Sequence, residues 1–409
     1  MNHIRQLVVL VGGKGTRLGT AGQHTPKPLM PISDSEVFLD HLLKASLRQG
    51  FGHVILLAGH LGEQVVQRYA HRRICEADID VFIEPSPMGT GGALRMVESR
   101  LADSFILMNG DTLFDINLRA LDEALASDRR KKAVMALRRV DDAGRYGSVS
   151  VDGDGRITGF REKQAGTEGV PGMINGGIYA LRREVLAQMP AGACSIETDV
   201  FPDLVERGEL GGRGFDGYFL DIGLPETLQT AREDLPGRKR PVLFLDRDGV
   251  LNADHGYVSS IEQWEWIPGA RRLIRSANDA GIAVVVVTNQ AGVARGYYDE
   301  GSVRALHFRV QQQLHAEGAF IDGFYYCPDH PDAVIDRYRV TAPYARKPDP
   351  AMLARAARQL DLDLSRGLLI GDQASDLAAA SALGVPSLRY EGGDLAELVL
   401  NSEEWRKLI

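Results

Sequence analysis

Two carboxylates stand one residue apart in the stretch Phe244 to Asn252, which reads F-L-D-R-D-G-V-L-N. Asp246 and Asp248 directly follow the apolar run Val242 to Leu245, which predicts a buried parallel strand. In sheets of this kind, ligands bind beyond the carboxyl ends of the strands. The spacing therefore predicts an active site with a nucleophile and a partner acid. Because the stretch lies past the middle of the chain, we expect a separate fold before it.

More polar groups follow predicted strands in this second half of the chain. The run Ile282 to Val287 is rich in β-branched residues and leads into Thr288. Another predicted strand, Leu368 to Gly371, leads into Asp372 and Asp376. Since the carboxyl ends of parallel strands meet at one edge of a sheet, we expect these groups to lie near Asp246.

A lysine completes this set. Lys347 precedes a predicted helix for which Asp349 and Pro350 are the expected N-cap and first residue. Phosphoryl transfer through an aspartyl phosphate requires an attacking carboxylate, a magnesium ion, a neutralising lysine and a second acid that moves the proton. The second half is therefore predicted to be a phosphoryl-transfer enzyme.

These groups resemble those of the haloacid dehalogenase superfamily. The motifs D-R-D-G-V-L-N, T-N-Q-A-G-V-A-R-G-Y-Y and A-R-K-P-D-P resemble those of the D-glycero-D-manno-heptose 1,7-bisphosphate phosphatases, with histidinol phosphatases as near relatives. The resemblance spans about residues 241 to 390 and implies a parallel sheet without a cap domain. The implied roles are Asp246 as nucleophile, Asp248 as acid and base, Thr288 and Lys347 as phosphate ligands, Asn289 and Arg346 as substrate ligands, Asp246, Asp248 and Asp372 as Mg²⁺ ligands, and Asp376 as a further ligand or a supporting group.

The second half departs from these relatives at one point. Many of them hold the loop before the lysine with zinc, through a Cys-x-His pair and a later Cys-x-Cys. Here Cys327 remains, but Asp329 stands at the histidine position, and Pro343 and Ala345 replace the later cysteines. Because structural zinc normally needs four such ligands, we expect Mg²⁺ in this half and no zinc.

The first half begins with a glycine-rich turn after a strand. The apolar run Gln6 to Val11 leads into Gly12-Gly13-Lys14-Gly15-Thr16-Arg17-Leu18, where glycines let backbone N–H groups approach phosphate oxygens. The turn matches neither the Walker nor the Rossmann pattern. Lys27 follows in the proline-rich segment Pro26 to Pro31, which holds it in rigid, extended backbone. Together these features predict a site for a polyphosphate.

Acidic residues follow at further strand ends. A second glycine-rich stretch, Glu84 to Ala93, opens a predicted helix, and Asp111 follows the strand Ser104 to Met108. Asp221 closes the domain. Strands and helices alternate before it, which predicts a mostly parallel sheet with helices on both faces. An acid at the carboxyl end of a central strand is well placed to hold Mg²⁺ on phosphate.

The first half resembles the sugar-1-phosphate nucleotidyltransferases. The motifs G-G-K-G-T-R-L, P-K-P-L-M-P-I, G-T-G-G-A, N-G-D, R-Y-G, F-R-E-K and L-D-I-G-L-P-E occur in order over about residues 4 to 235, and the D-glycero-alpha-D-manno-heptose 1-phosphate guanylyltransferases are the most similar. This implies in-line attack of a sugar 1-phosphate on the α-phosphorus of a nucleoside triphosphate. The implied roles are Gly12, Gly13, Gly15, Thr16, Arg17 and Lys27 around the triphosphate, Asp111 and Asp221 on Mg²⁺, Lys163 on the sugar phosphate, Glu84, Gly89 and Gly92 beside the base, and Glu162 and Asn175 on the sugar.

Length and composition agree with two enzymes in series. The 409 residues predict an α/β domain at 1–235, a basic linker, and a second α/β domain at 241–409. A net charge of -8 argues against a general nucleic-acid binder, and no apolar run reaches the length that spans a bilayer. We expect a cytoplasmic enzyme, with three reduced cysteines, that acts on a nucleoside triphosphate and sugar phosphates.

The order of the two reactions follows from their chemistry. A nucleotidyltransferase needs a sugar 1-phosphate as its nucleophile, so a phosphatase in the same chain is expected to spare the anomeric phosphate and remove the remote one. The resemblance favours the α-anomer, because the β-route uses an adenylyltransferase of another family with an H-x-G-H signature, which is absent here. We therefore expect heptose 1,7-bisphosphate to become heptose 1-phosphate and then, most simply, GDP-heptose.

Two other interpretations stay open. One is a mannose- or glucose-1-phosphate nucleotidyltransferase joined to a histidinol-phosphatase-like enzyme. The other is a non-catalytic module that senses sugar nucleotides, although such a module would be expected to lose the charged residues kept at Arg17, Lys27, Asp111, Lys163 and Asp221. The sequence does not determine the nucleotide base or the oligomeric state.

Overall fold

The computed structural model of the chain describes residues 3–13, 18, 20–142, 148–161, 171–190, 192–341 and 345–409. The chain divides into two compact units, Met1–Pro236 and Gly237–Ile409. The division falls inside the segment Leu235 to Pro241 that the sequence predicts as a linker. No helix among the described residues is long and apolar enough to cross a membrane.

The first unit is built on a mixed sheet with the strand order β11-β7-β10-β5-β1-β2-β4-β3, to which β8 and β9 are added beside β10. Strands β5, β1, β2 and β4 are parallel, and β10 runs antiparallel between β5 and β7. Strands β6 and β12 form a separate antiparallel pair. The strands are β1 Gln6–Val11, β2 His53–Ala58, β3 Arg73–Ile74, β4 Ala77–Ile83, β5 Ser104–Asn109, β6 Thr112–Asp115, β7 Ala133–Val140, β8 Ser148–Val151, β9 Ile157–Arg161, β10 Gly172–Arg182, β11 Leu210–Phe215 and β12 Tyr218–Asp221.

Helices cover both faces of this sheet, because successive side chains of a strand point to opposite faces. In β1, Leu7 and Val9 enter the cluster that contains helices α2 and α5, while Val8 enters the cluster that contains α4 and α6. The helices are α1 Thr20–His24, α2 Phe38–Leu47, α3 Gly62–Tyr69, α4 Gly89–Met96, α5 Leu118–Ala126, α6 Phe201–Glu206 and α7 Pro225–Asp234, with a π-helical turn at Ile196–Val200.

The second unit contains a five-stranded sheet with the order β15-β14-β13-β16-β17, and all its pairs are parallel. Its strands are β13 Arg240–Leu245, β14 Ala283–Asn289, β15 Gly323–Cys327, β16 Leu362–Gly371 and β17 Ser387–Arg389. Its helices are α8 Ala270–Asp279, α9 Ala291–Ala294, α10 Glu300–Ala316, α11 Ala351–Gln359, α12 Ala374–Ser381, α13 Leu395–Leu400 and α14 Glu403–Leu408.

The central strand β13 is buried on both sides, as its continuous apolar run predicts. Leu243 and Leu245 pack with helices α8, α10 and α13, whereas Val242 and Phe244 pack with α11 and α12. Burial of each such side chain contributes about 1.5–3 kcal/mol. The rigid strand therefore delivers the next residue, Asp246, to the edge of the sheet.

The predicted fold class is confirmed: both units are α/β, the first with a mixed sheet and the second with a parallel one. Between Asn252 and Thr288 the described chain forms one 3-10 turn and helix α8, which leaves no element for a cap domain there. Two local predictions were wrong. Lys27 lies in a 3-10 turn over Lys27–Leu29 and not in extended backbone. Helix α11 begins at Ala351 and not at Pro350, and Asp349 Oδ1 accepts from the N–H of Ala351 at 2.8 Å.

Candidate active sites

A buried ammonium group joins two carboxylates at the edge of the parallel sheet. Lys347 Nζ lies 2.7 Å from Asp246 Oδ1 and 2.7 Å from Asp376 Oδ1, and it donates to the carbonyl of Val287 at 2.8 Å. Burial disfavours the charged ammonium, but the two carboxylates outweigh this effect and raise the pKa of Lys347. The predicted residues Asp246 and Lys347, which are a hundred residues apart in the sequence, are thus in direct contact.

Asp246 follows β13 and offers one oxygen to a reaction. Its Oδ1 accepts hydrogen bonds from the N–H of Arg247 at 2.7 Å and interacts with Lys347. No described residue donates a hydrogen bond to Oδ2. Burial raises the pKa of Asp246, and the ammonium of Lys347 opposes that rise. A cation beside Asp246 would further stabilise the ionised form that a nucleophile needs.

Three carboxylates form a group that fits a cation. Oxygens of Asp246, Asp372 and Asp376 all lie within 4.8 Å of one another. Asp372 Oδ1 is buried without a hydrogen-bond partner among the described residues, and an uncompensated carboxylate oxygen of this kind suits Mg²⁺, which prefers oxygen ligands. Asp248, which the sequence predicted as a ligand beside Asp246 and Asp372, lies outside this group, and Asp376 lies inside it.

Helix α12 places Asp376. Its Oδ2 accepts from the N–H of Gln373 at 3.0 Å, so the carboxylate caps the start of the helix while Oδ1 reaches Lys347. Gly371, at the end of β16, permits this approach, since a Cβ there would lie 2.3 Å from the Cβ of Asp376. Gln373 Nε2 donates to Asp372 Oδ2 at 2.7 Å.

The carboxylate of Asp248 is held by side chains around it. Nε and Nη2 of Arg247 contact both oxygens of Asp248 at 2.8–3.1 Å. Asn252 Nδ2 donates to Oδ1 at 3.1 Å, and Gln290 Nε2 donates to Oδ2 at 2.9 Å. Because Arg247 is fully buried, it holds the carboxylate of Asp248 in a fixed position two residues after Asp246.

Thr288 and Asn289, at the end of β14, have different surroundings. Thr288 is buried, and its Oγ1 accepts from Gln290 Nε2 at 2.9 Å. Asn289 was predicted to bind substrate. Its Oδ1 accepts from the N–H of Lys347 at 3.0 Å and its Nδ2 donates to the Lys347 carbonyl at 3.1 Å. Asn289 therefore holds the backbone of the lysine.

Arg346 lies beside this centre. Its Nη1 is buried and has no hydrogen-bond partner among the described residues, and burial lowers its pKa. A buried guanidinium nitrogen without a partner among the described residues is suited to bind an anionic substrate group. This placement is compatible with the predicted substrate contact.

The loop after β15 is held by a carboxylate and apolar side chains. Glu300, at the start of α10, accepts from the hydroxyls of Tyr326 and Tyr338, each at 2.8 Å. Tyr338 also packs with Val293 and Ala333 in a small apolar cluster. Cys327 is buried below this loop, and Ala345 is described, whereas Pro343 lies outside the described residues. These contacts support the described part of the loop, and the absence of zinc stays a prediction.

The first unit brings Lys27, Asp111 and Asp221 together. Lys27 Nζ lies 2.5 Å from Asp111 Oδ2 and 4.0 Å from Asp221 Oδ1. The hydroxyl of Thr112 lies between the carboxylates, 3.4 Å from Asp111 and 3.2 Å from Asp221. Burial and repulsion by Asp111 raise the pKa of Asp221. A cation shared by the two carboxylates would relieve that repulsion, so this donor set fits Mg²⁺.

The structure describes the whole of the second predicted glycine-rich segment but only part of the first. Gly12 ends β1 close to Glu84, since a Cβ on Gly12 would lie 3.2 Å from Glu84 Oε1. Glu84 Oε2 accepts from the N–H of Met88 at 3.0 Å and so shapes the turn before α4. Gly13 is exposed beside Gly12. Four other predicted residues of the first segment, Lys14, Gly15, Thr16 and Arg17, lie outside the described residues.

Helix α4 begins against the segment that contains Cys194. Gly89 has φ +71, and a Cβ there would lie 2.4 Å from the carbonyl oxygen of Cys194. Gly92 also has little room, because its Cβ would lie 2.8 Å from that of Met88. These glycines are therefore required for close packing of α4, in addition to the predicted place beside the base.

Asn175 shapes an irregularity in β10. Its Oδ1 accepts from the N–H of Gly177 at 2.9 Å, and its Nδ2 donates to the hydroxyl of Tyr179 at 2.8 Å. The pairing of β10 with β7 shifts register between Asn175 and Tyr179. The predicted sugar ligands Glu162 and Lys163 and the R-Y-G motif at 145–147 lie outside the described residues.

Two protein families match the chain over different ranges of residues. Residues 6–237 match the family described as nucleotidyl transferase. Residues 178–384 match the haloacid dehalogenase-like hydrolases. Both matches include residues 178–237, which lie almost entirely in the first unit, whereas Asp246 and Lys347 lie only in the second match.

The second unit is similar to known phosphatases. The D-glycero-beta-D-manno-heptose-1,7-bisphosphate 7-phosphatase of Rhodopseudomonas palustris is 45% identical over 157 residues, which are 38% of this chain and 87% of that protein. The D-glycero-alpha-D-manno-heptose-1,7-bisphosphate 7-phosphatase of Burkholderia mallei is 46% identical over 147 residues, which are 36% of this chain and 77% of that protein.

A solved structure is similar to the other part of the chain. HddC from Yersinia pseudotuberculosis is 30% identical, with a TM-score of 0.50, over 56% of this chain and 99% of that protein. The same protein complexed with GMP-PN gives the same values. The comparisons thus pair a nucleotide-binding neighbour with sugar bisphosphate phosphatases.

Proposed function

We propose that this chain, which belongs to the nucleotidyl transferase family and to the haloacid dehalogenase-like hydrolases, makes a nucleotide-activated heptose with two active sites. The second unit removes the 7-phosphate of D-glycero-α-D-manno-heptose 1,7-bisphosphate. The first unit then transfers GMP from GTP to the heptose 1-phosphate and releases pyrophosphate. The observation that carries the proposal is the phosphoryl-transfer centre of Asp246 and Lys347 in a unit 45% identical to a heptose bisphosphate 7-phosphatase.

The phosphatase reaction uses two carboxylates. Asp246 Oδ2 attacks the 7-phosphorus, and the bond from phosphorus to the sugar oxygen breaks while Asp248 gives that oxygen a proton. Water then attacks the aspartyl phosphate, Asp248 takes a proton from the water, and inorganic phosphate leaves as Asp246 is restored. Lys347 and Thr288 stabilise the phosphoryl oxygens, and Asn289 keeps Lys347 in place.

Mg²⁺ is the cofactor proposed for both sites. In the second unit Asp246, Asp372 and Asp376 would hold it, and in the first unit Asp111 and Asp221 would hold it. When bound, the ion supplies positive charge that stabilises phosphoryl oxygens during transfer. These ligand sets contain carboxylates only, in keeping with a cation that prefers oxygen.

The transferase reaction depends on charge and position. The sugar phosphate oxygen attacks the α-phosphorus of the triphosphate, and the bond to the leaving pyrophosphate breaks. Lys27 and Arg17 neutralise the phosphates, and Lys163 binds the sugar phosphate. The glycines 12, 13 and 15, with Thr16, surround the triphosphate, while Glu84, Gly89 and Gly92 border the base, and Glu162 and Asn175 the sugar. GMP-PN bound to the 30% identical neighbour supports guanine as the base.

The choice of base is tested by supplying heptose 1-phosphate with GTP, ATP, CTP and UTP in separate reactions and following pyrophosphate. We expect release with GTP to be at least about a hundredfold faster than with ATP, because a site that hydrogen-bonds one base edge leaves polar groups unpaired with another. Asp111→Asn in the same chain is the control for background release. Equal rates with ATP and GTP would contradict the proposed specificity.

A further inference from the structure

Tyr257, in the loop between Asn252 and α8, has a backbone conformation that large residues rarely adopt. Its φ is +58, in the left-handed region. Strained residues of this kind persist only where their surroundings hold them, and they cluster at ligand clamps. The side chain of Tyr257 is 40% exposed, so packing in the core does not account for the conformation.

One arginine contacts both the hydroxyl and the ring of Tyr257. Arg295 Nη1 donates to the hydroxyl of Tyr257, and the guanidinium carbon lies 5.6 Å from the centre of the same ring. Tyr297 packs edge-on against the ring, with centres 4.7 Å apart and planes at 70°. The ring of Tyr257, which is partly exposed, is therefore held by two neighbours in the segment that follows α9.

This ring is tied to the phosphatase centre. The carbonyl of Val258, the next residue, accepts from Arg247 Nη2 at 2.7 Å, and the same guanidinium holds Asp248. Tyr257 and Arg295 are also among the ionisable neighbours of Arg346, whose pKa burial lowers. Tyr257 is thus linked through Val258 and Arg247 to Asp248, and it lies among the charged neighbours of Arg346, whose Nη1 is buried without a hydrogen-bond partner among the described residues.

We infer that Tyr257 is a specificity-determining residue against which the carbohydrate ring of a phosphorylated sugar lies, and that Arg295 is a positioning residue that holds it there. Sugar rings carry faces of C–H groups with slight positive charge, which pack on the negative face of an aromatic ring. Arg346 beside that surface matches an anionic substituent on the same sugar. The inference rests on the proposed phosphatase activity and names the part of the substrate that Tyr257 recognises.

The test compares two substrates in the full chain: heptose 1,7-bisphosphate and glycerol 3-phosphate, a phosphomonoester without a ring. We expect Tyr257→Ala to raise KM for the bisphosphate about tenfold, since loss of an aromatic contact costs about one factor of ten. The change in kcat should stay below about threefold, and kcat/KM for glycerol 3-phosphate should be unchanged. A catalytic or merely structural role of Tyr257 would instead lower kcat/KM for both substrates together.

Two conservative variants keep the test valid if Tyr257→Ala unfolds the loop. Tyr257→Phe retains the ring but loses the hydroxyl bound by Arg295, and Arg295→Lys removes the flat cation. Each should raise KM for the bisphosphate by a smaller factor, about threefold, without changing kcat/KM for glycerol 3-phosphate. Equal losses on both substrates, or an unchanged KM for the bisphosphate, would overturn the inference.

The outcome separates this inference from the proposed function. If the unmodified chain releases no phosphate from the heptose bisphosphate, the proposed substrate is wrong, and the same comparison is made with hexose 6-phosphates against glycerol 3-phosphate. If the unmodified chain acts on the bisphosphate but Tyr257→Ala shows no sugar-specific change in KM, the inference alone fails.

Discussion

Replacement of Asp246 by asparagine is expected to reduce phosphate release from heptose 1,7-bisphosphate by at least about a thousandfold, as loss of a nucleophile does in other hydrolases. An amide cannot form the acyl phosphate bond. Lys347 keeps its contact with Asp376 in this variant, so the site retains a partner for its buried charge. Pyrophosphate release by the first unit should be unchanged. Both activities are measured on one preparation, with malachite-green and pyrophosphate-coupled assays.

Asp336→Asn is the matched control for this prediction. Asp336 is in the same unit, its side chain is 91% exposed, and its contact is with Arg339 at 3.3 Å. We expect both activities to stay within about twofold, because exposed ion pairs contribute little. If Asp246→Asn removed both activities from a folded protein, the account of two separate sites would be wrong.

Asp111→Asn is expected to produce the opposite pattern. Pyrophosphate release should fall by about a hundredfold to a thousandfold, because the variant loses a charge that faces both Lys27 and the proposed cation. The neutral amide would also remove the repulsion that raises the pKa of Asp221, so that one charged carboxylate instead of two would face the proposed cation. Phosphate release from the bisphosphate should be unchanged, since Asp111 lies in the first unit.

Asp103→Asn serves as the control in the first unit. Asp103 has a 92% exposed side chain and contacts Arg183 at 2.6 Å. Near-normal pyrophosphate release is expected from it. If Asp111→Asn kept more than about a tenth of the normal rate with saturating Mg²⁺, Asp111 would not be an essential group of the transferase site.

The sequence was sufficient to predict which polar residues meet at an edge of each sheet, because the relevant strands are long apolar runs. β13 and β14 are buried on both faces, and the polar residues that follow them reach the same edge of the sheet. This reasoning correctly predicted contact between Asp246 and Lys347, although the roles of both residues stay predictions. The same logic brought Asp111 and Asp221 to one centre in the first unit.

The sequence did not predict which residues hold other residues of the sites in position. Asn289 binds the backbone of Lys347, which is 58 positions away, and Gln290 reaches Asp248 over 42 positions. Such contacts depend on the final side-chain positions and leave no local pattern. Arg247 had a usable signal, because an arginine between two carboxylates at the end of a buried strand must find a buried partner. The strained backbone of Tyr257 had no such signal in the sequence, since tyrosine does not favour a φ of +58°.

The central claim is that the second unit prepares the substrate of the first by removing the phosphate remote from the anomeric carbon. The most direct measurement is ³¹P NMR of the full chain supplied with α- or β-heptose 1,7-bisphosphate, Mg²⁺ and GTP. The account predicts that the 7-phosphate signal of the α-anomer is lost first, followed by the two coupled phosphorus signals of a sugar nucleotide. Faster loss of the anomeric phosphate, or a clear preference for the β-anomer, would contradict it.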